Sequence, residues 1–218
     1  MELLLASTNP HKLDEIRAII DGGAVDWLTL ADVAGGAEIE EPVEDADTFE
    51  GNATIKARYY ARATGYRCLA DDSGLAVDAL DGAPGVISAR YAGAAGPRAQ
   101  VDLANNRLLL DRLEAVPEAE RTARFVCAMV LCAPDRDAPV ASVRGTVEGR
   151  ILLPSEAADR DKPEQGRGSN GFGYDPLFVL PDRGVTTAEL SPEAKNAISH
   201  RGNAARAMHE KLRELGIV

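Results

Sequence analysis

The sequence predicts a mixed α/β domain. An apolar run at residues 3–6 has the length of a buried strand, and residues 13–20 behind it place apolar side chains at the spacing of one helix face. Residues 123–133 and 140–153 are rich in strand-forming side chains, and helical signals return at Ser191-Pro192. Because strands and helices alternate without a repeat or a linker, we expect one domain built on a sheet.

Composition narrows the class of protein. The chain has 218 residues, of which 45% are hydrophobic and 27% charged, and its net charge is −11. Such a surface repels long polyanions, so we expect no nucleic-acid partner, although local Lys and Arg side chains can still bind a small anion. The first residues have no basic region, and their apolar run is too short for a signal or a membrane span.

The cysteines indicate in which cellular compartment the protein works. Cys68, Cys127 and Cys132 are odd in number and lack metal-ligand spacing, which is typical of a reducing interior. Each lies in an apolar run, where a cysteine acts as a small core hydrophobe. We therefore expect a cytoplasmic protein without a membrane anchor.

The most unusual stretch is residues 68–93, in which carboxylates alternate with small apolar residues and glycines. It predicts a short strand that ends in Asp71 and Asp72, then a Ser73-Gly74 turn and a second strand at residues 75–79. Successive strand residues point to opposite faces, so one aspartate can face a cleft while the other braces the turn. Paired carboxylates without nearby Cys or His suit Mg²⁺. The alternative is an ordinary turn rich in Asp and Gly.

The segment Ser7-Thr-Asn-Pro-His-Lys12 joins the first strand to the first helix. Asn9 is a favourable N-cap and Pro10 a favourable first helical residue, so backbone amides, hydroxyls and Lys12 would converge on an anion there. The alternative is a capped helix with a surface lysine. Neither a Walker A sequence nor a Gly-x-Gly-x-x-Gly fingerprint is present, which disfavours P-loop and Rossmann folds.

Three connecting segments have simpler interpretations. Residues 38–47 form an acidic loop, usually a solvated connection, but a predicted helix from Thr48 to Gly65 follows it and one of its carboxylates could reach the same metal. Residues 101–116 predict an amphipathic helix with a purely structural role. Residues 154–167 are polar and turn-forming, so we expect a flexible surface loop.

A second unusual stretch covers residues 168–178, in which three glycines are interleaved with two aromatic residues. The backbone must bend closely around something, either a planar base stacked on Phe172 or an aromatic plug under a loop. Further along, Lys195, His200 and Arg201 crowd a helix junction and suit an anionic or carbonyl-rich ligand, although a lone helix histidine is usually structural.

Taken together, six motifs resemble the inosine/xanthosine triphosphate pyrophosphatases, and the resemblance runs from Leu3 to the last helix. The motifs are Ser7-Thr-Asn-Pro-His-Lys12, Thr48-Phe-x-x-Asn-Ala53, Asp71-Asp-Ser-Gly-Leu-x-Val77, Gly82-Ala-Pro-Gly-x-x-Ser-Ala-Arg-Tyr91, Gly171-Phe-Gly-Tyr-Asp-Pro176 and Lys195-x-Ala-Ile-Ser-His-Arg-Gly202. The resemblance implies an elongated mixed α/β fold, with a central mixed sheet and two lobes flanking a substrate cleft. It also implies a homodimer that hydrolyses ITP, dITP or XTP to the monophosphate and pyrophosphate with Mg²⁺.

The same resemblance assigns site residues. Asp72 matches the family's proton acceptor and a metal-binding carboxylate, and Glu44 matches the second metal contact. The matching substrate contacts are Ser7, Thr8, Asn9, Pro10, His11, Lys12, Ser73, Phe172, Gly173, Tyr174, Asp175, Lys195, His200 and Arg201. The choice of Glu44 depends on counting back from Asn52-Ala53 through a loop with several carboxylates.

Two other functions compete with this one. A related family acts on modified pyrimidine triphosphates and begins with a similar turn, but residues 172–175 and 199–201 do not favour it. A non-catalytic nucleotide sensor would keep Lys12 and Phe172 and would not need Asp72 beside a metal. The segment at residues 154–167 is longer than the family requires.

Overall fold

The computed structural model describes residues 1–6, 16, 17, 19, 20 and 25–218. Within this part of the chain, seven strands form one sheet in the order β2-β1-β3-β4-β5-β6-β7. β1 runs parallel to β2 and β3, whereas β6 is antiparallel to β5 and β7, so the predicted mixed sheet is confirmed. The strands are β1 Glu2–Leu5, β2 Asp26–Leu28, β3 Cys68–Val77, β4 Thr122–Cys132, β5 Ala141–Ile151, β6 Phe178–Leu180 and β7 Val185–Thr186.

Four helices lie wholly within the described residues: α1 Phe49–Thr64, α2 Arg98–Arg112, α3 Pro192–Ile198 and α4 His200–Glu214. The Thr48 hydroxyl caps α1 by accepting the Gly51 N–H at 3.0 Å, and Gly65 ends it in the left-handed conformation. The Ser191 hydroxyl caps α3 in the same way, and α4 restarts at His200. The predicted start and end of α1, the start of α3 and the restart at α4 are confirmed, whereas the helix expected at residues 101–116 begins and ends earlier, as α2.

Residues group into two compact units, of which unit 1 comprises Met1–Ser73, Cys127–Thr146 and His200–Val218. Leu3 and Leu5 belong to one apolar cluster with α4, and Leu4 belongs to another cluster with α1. Because alternate strand residues face opposite sides, α1 and α4 cover the two faces of this part of the sheet. The three cysteines are free and buried, as predicted.

Unit 2 comprises Gly74–Val126 and Val147–Ser199. Its core joins α2 to the strands, with the Phe125 and Phe178 rings 4.4 Å apart. Arg121 is 1% exposed and donates to the carbonyl oxygens of Leu113, Val116 and Leu152. It thereby joins the C-terminal end of α2 to the end of β5.

The predicted turn at Ser73-Gly74 is wrong, because β3 runs through it as one ten-residue strand. β3 lies between β1 and β4 in the sheet, and Leu4 and Leu5 of β1 pair with Cys68 and Leu69. Strand pairing within the sheet overrides the local turn preference of Asp, Ser and Gly. The interpretation of the acidic stretch as an ordinary turn is therefore also wrong.

Residues 154–167 contain two short 3-10 turns instead of an irregular loop. Glu156 forms two hydrogen bonds with Arg150, at 2.6 and 2.7 Å, and Glu164 forms an ion pair with Arg107 of α2. The backbone of Ala158 donates to Gly166 at 3.0 Å. The expected flexible surface loop is thus tied to unit 2 by backbone and charged contacts.

No helix in the described residues combines the length and the apolar character that a membrane span requires.

Candidate functional site

The adjacent aspartates of β3 occupy different environments, as the strand geometry predicts. Asp71 is 2% exposed, and its Oδ2 lies 3.5 Å from Nε of Arg201 and 3.9 Å from Sγ of Cys127. Asp72 is half-buried and contacts α1 instead. One carboxylate is therefore part of the interior of unit 1, and the other is accessible for chemistry.

Asp72 accepts hydrogen bonds from a backbone amide and from a side-chain amide. The Ser73 N–H donates to Oδ1 at 2.9 Å, and Nδ2 of Asn52 donates to Oδ2 at 3.3 Å. Asn52 is 1% exposed, and its own Oδ1 accepts the Ala46 N–H at 2.9 Å. A single buried amide thus connects Asp72 to the acidic loop. The sequence signal for this role was a polar residue on the buried face of α1.

Glu44 is the half-buried member of the candidate carboxylates in the acidic loop, since Glu40, Glu41 and Asp45 are exposed. Glu44 lies 3.0 Å from Nζ of Lys56, which also donates to the Asp71 carbonyl oxygen at 3.2 Å. Its burial supports the choice of this residue over its neighbours.

The pKa of Lys56 reflects the charges around it. Burial alone would lower the pKa of Lys56, but the charges of Glu44, Asp71 and Asp72 outweigh it and raise that pKa. The lysine is therefore protonated at neutral pH, and three carboxylates act on one ammonium group.

The donor set fits a hard divalent cation. Within the described residues, no three Asp, Glu, His or Cys side chains form a metal cluster by themselves. Mg²⁺ does not require such a cluster, because it keeps several waters and usually binds one or two carboxylates together with substrate phosphates. Asp72 and Glu44, both half-buried, are donors of that kind.

Arg201 and Ser73 complete the group in unit 1. Nη2 of Arg201 donates to the Ser73 hydroxyl at 3.1 Å, and the guanidinium is 3% exposed. Arg201 therefore bridges Asp71 and the residue after Asp72. His200 is 9% exposed at the start of α4, where its carbonyl oxygen would be 2.3 Å from a Cβ on Gly145. This close packing fixes the start of α4 against β5.

The aromatic loop, residues 168–178, forms a second polar group within unit 2. Asp175 is 3% exposed. Its Oδ2 accepts two hydrogen bonds, one from the Phe172 N–H at 2.8 Å and one from Lys195 Nζ at 2.6 Å. Its Oδ1 accepts from the Thr187 hydroxyl at 2.8 Å. The half-buried Phe172 ring has Lys195 Nζ 5.3 Å from its centroid, within cation–π range.

Gly171 allows this arrangement. Its φ is +78°, and a Cβ at this position would be 2.2 Å from Oδ2 of Asp175. Only a glycine combines that backbone conformation with so close an approach. The glycines of the loop thus bend the backbone around a buried carboxylate, as the sequence predicted for a tight loop.

Tyr174, predicted as a substrate contact, has a buried side chain. Its side chain is 5% exposed, and its hydroxyl donates to the Ser88 carbonyl oxygen at 2.8 Å. Burial raises the pKa of Tyr174, so the hydroxyl stays protonated and serves as a donor. The Tyr174 side chain anchors the aromatic loop in the core of unit 2.

Helix α2 has more than the packing role expected of it. Arg98 lies 5.5 Å from the Phe172 centroid, and the Gly173 N–H donates to Asp102 at 2.9 Å. Asn106, 2% exposed, donates to the Gly173 carbonyl oxygen at 3.2 Å. Sequence analysis missed these three residues, because the loop that they contact lies about seventy positions further along the chain.

The structure therefore assembles the predicted residues in two groups. Glu44, Asp72, Ser73 and Arg201 belong to the group in unit 1, and Phe172, Asp175 and Lys195 belong to the group in unit 2. The residues Ser7, Thr8, Asn9, Pro10, His11 and Lys12 lie outside the described part of the chain.

Comparison with known proteins gives full-length matches. The Ham1 family model matches residues 3–211. A dITP/XTP pyrophosphatase of Geobacter sulfurreducens is 48% identical over 99% of this chain and 98% of its own length. A HAM1 protein structure from Coxiella burnetii matches with a TM-score of 0.83 at 38% identity, covering 98% of this chain and 99% of that one.

A solved structure with a functional name also matches. It is a nucleoside-triphosphatase / dITP/XTP pyrophosphatase from Mycobacterium abscessus, with a TM-score of 0.73 and 44% identity. The match covers 95% of this chain and 98% of that one. The expected fold class is confirmed by these structural neighbours.

Proposed function

The chain belongs to the Ham1 family, and we propose that it hydrolyses the deaminated purine nucleoside triphosphates ITP, dITP and XTP to the monophosphate and pyrophosphate. The carboxylate group of unit 1 carries this proposal: Asp72 is half-buried beside the Glu44–Lys56 ion pair, while its neighbour Asp71 is buried. The names of relatives that are similar over nearly their whole length support the substrate class.

Asp72 is proposed as the proton acceptor for the attacking water. Asn52 and the Ser73 amide each donate to one oxygen of Asp72, so the carboxylate is held in a fixed orientation. A positioned general base of this kind contributes about 10²–10⁴-fold to a rate.

Glu44 and Asp72 would hold Mg²⁺, the cofactor that we propose. Bound Mg²⁺ supplies positive charge that neutralises phosphate oxygens and polarises the anhydride. Lys56 is already protonated beside the same carboxylates, so it adds a cation at this location. Lys12 is proposed as a further cation for the phosphates on the family resemblance alone.

We propose that the aromatic loop binds the purine base of the substrate. A purine ring can stack on Phe172, whose backbone is fixed by Asp175. Hypoxanthine and xanthine carry a carbonyl acceptor at position 6, where adenine carries an amino donor. Backbone amides near Tyr174 would pair with the carbonyl and oppose the amino group. Guanine has the same carbonyl, so this pairing predicts no discrimination against GTP.

Product analysis tests the reaction. Purified protein incubated with ITP and Mg²⁺ should release IMP and pyrophosphate in equal amounts, measured by ion-exchange chromatography in the absence of any added pyrophosphatase. IDP and orthophosphate as the products would contradict the proposal, because they require cleavage at a different anhydride bond. Unchanged ITP would favour a nucleotide sensor.

A metal titration tests the cofactor. Turnover of ITP should be lost in excess chelator and restored by added Mg²⁺. Glu44→Gln should shift the restoring Mg²⁺ concentration upwards by about tenfold, the factor that corresponds to 1.4 kcal/mol of binding free energy. Full activity in chelator would remove Mg²⁺ from the proposal.

We also propose a cytoplasmic homodimer, as the family resemblance implies. Sedimentation equilibrium of the purified chain should give twice the mass of 23.1 kDa. A mass that stays at one chain over the whole concentration range would contradict it.

A further inference from the structure

One face of α2 carries three polar side chains, Arg98, Asp102 and Asn106, spaced four residues apart. Residues at this spacing are neighbours on a helix surface. Oδ2 of Asp102 accepts the Gly173 N–H at 2.9 Å, and Nδ2 of Asn106 donates to the Gly173 carbonyl oxygen at 3.2 Å. Both backbone polar groups of the residue that follows Phe172 are thus held by α2.

The second oxygen of Asp102 connects to the aromatic ring itself. Oδ1 of Asp102 accepts from Nε of Arg98 at 2.8 Å, and Cζ of Arg98 lies 5.5 Å from the Phe172 centroid. A guanidinium within about 6 Å of a ring is attracted to its face. One carboxylate therefore holds both the backbone beside the ring and the cation over it.

The two hydrogen bonds to α2 hold Gly173 in a left-handed backbone conformation, with a φ of +63°. The bond to Asp102 is charge-assisted, and such bonds are roughly twice as strong as neutral ones. The Asp102 side chain is 14% exposed, so solvent screens the bond only in part.

We propose that Asp102 is a positioning residue for nucleobase recognition. It fixes Gly173, and through it the orientation of the Phe172 ring, and it holds Arg98 over that ring. The inference rests on the proposed function, because it takes Phe172 as the stacking surface for the base. It predicts a role for Asp102 in binding the base and none in binding the phosphates.

The test separates these two parts of the substrate. Isothermal titration calorimetry measures the affinity for IMP, which carries the base, and for pyrophosphate, which does not, with wild-type protein, Asp102→Asn and Arg98→Gln. Asparagine has a single side-chain oxygen, so it can accept only one of the two hydrogen bonds from the Gly173 N–H and Arg98 Nε. Its NH₂ group then faces the other donor. We expect Asp102→Asn to weaken IMP binding by about tenfold and Arg98→Gln by a smaller factor. Pyrophosphate affinity should not change.

Kinetics give a second, independent measurement. Asp102→Asn should raise the KM for ITP by about the same factor while kcat stays within about twofold, because the reacting phosphates are unaffected. The Asp102→Asn/Arg98→Gln double variant should lose little more than Asp102→Asn alone, since the two residues act as a pair. Asp111→Asn, an exposed carboxylate on the same helix, is the matched control and should behave as wild type.

Two results would overturn the inference: IMP affinity equal to wild type in both folded variants, or an equal loss of IMP and pyrophosphate affinity. If Asp102→Asn does not fold, Arg98→Gln decides alone, because the Arg98 side chain is 56% exposed and its replacement leaves the Gly173 bond in place. Wild-type protein that neither binds IMP nor hydrolyses ITP would instead overturn the proposed function, and this inference with it.

Discussion

Two adjacent residues of one strand, Asp71 and Asp72, have opposite roles because a strand alternates its faces. Asp71 is paired with Arg201 in the interior of unit 1, where loss of a charged partner costs about 3–5 kcal/mol. Arg201 therefore contributes to stability. Asp72 is half-buried and accepts hydrogen bonds from Asn52 and from the Ser73 amide.

Replacement of Asp72 by asparagine tests its chemical role. Asp72→Asn keeps the size and one acceptor oxygen but removes the basic carboxylate, so ITP turnover should fall by about 10³-fold. IMP affinity, measured by calorimetry, should stay close to wild type because the base does not depend on this group. Asp47→Asn, an exposed carboxylate of the acidic loop, is the control. Retention of more than a tenth of the activity would rule out Asp72 as proton acceptor.

Single residues were predictable where their local chemistry was distinctive. The Asp71-Asp72 pair and Phe172 could be selected because carboxylates, aromatics and glycines stood in unusual order, and Lys195 because it lies near a helix junction. The choice of Asp72 over Asp71 came from the family resemblance. Asp102 and Asn106 could not, since their partner Gly173 is about seventy positions away along the chain. A contact between distant positions leaves no mark in the spacing of either one.

Among the helices and strands, the residues that cap helices predicted the helix ends most reliably. Thr48 and Gly65 bound α1, and Ser191 and His200 mark the break between α3 and α4, as local hydrogen bonding predicts. The turn expected at Ser73 failed because pairing with neighbouring strands, a tertiary effect, decided the conformation of β3.

The aromatic loop offers a test of backbone fit. Gly171→Ala should destabilise the protein by about 1–3 kcal/mol, because φ is +78° and the new Cβ would overlap Asp175. Gly184→Ala is the matched control in unit 2, since its φ is +66° and no atom lies within 4 Å of the added Cβ. Urea unfolding followed by circular dichroism measures both. Equal destabilisation of the two variants would mean that the contact with Asp175 adds nothing.

The segment at residues 154–167 makes a prediction about pH. Hydrogen bonds from Arg150 are the main cause that lowers the pKa of Glu156 from its ordinary 4.5 to about 2. A lowered pKa stabilises the fold above the unfolded value, and that stabilisation is lost as pH falls from 4.5 towards 2. The difference in free energy of unfolding between wild type and Glu156→Gln should therefore be largest near neutral pH and shrink in acid.

The matched control for this prediction is Glu118→Gln. Glu118 contacts the same Arg150 at 3.2 Å, but its side chain is 54% exposed, so solvent screens the pair and the effect should be smaller. Urea unfolding at several pH values gives both differences. A Glu156→Gln difference that stays constant from neutral pH to pH 3 would contradict the role of the ionised carboxylate.

The whole molecule has a net charge of −11, which repels the proposed polyanionic substrate. The substrate can bind only where positively charged side chains lie close to it. Lys56 is one such cation, kept protonated by surrounding carboxylates, and Lys195 is another, bound to Asp175. Composition predicted the absence of long polyanionic partners, whereas the placement of these lysines required the fold.

The ratio of kcat/KM for ITP to that for ATP, at saturating Mg²⁺, tests the central claim most directly. Opposed donors in a buried site each cost about 1–3 kcal/mol, so the account predicts a preference for ITP on the order of 10⁴. ATP hydrolysed as efficiently as ITP would contradict it.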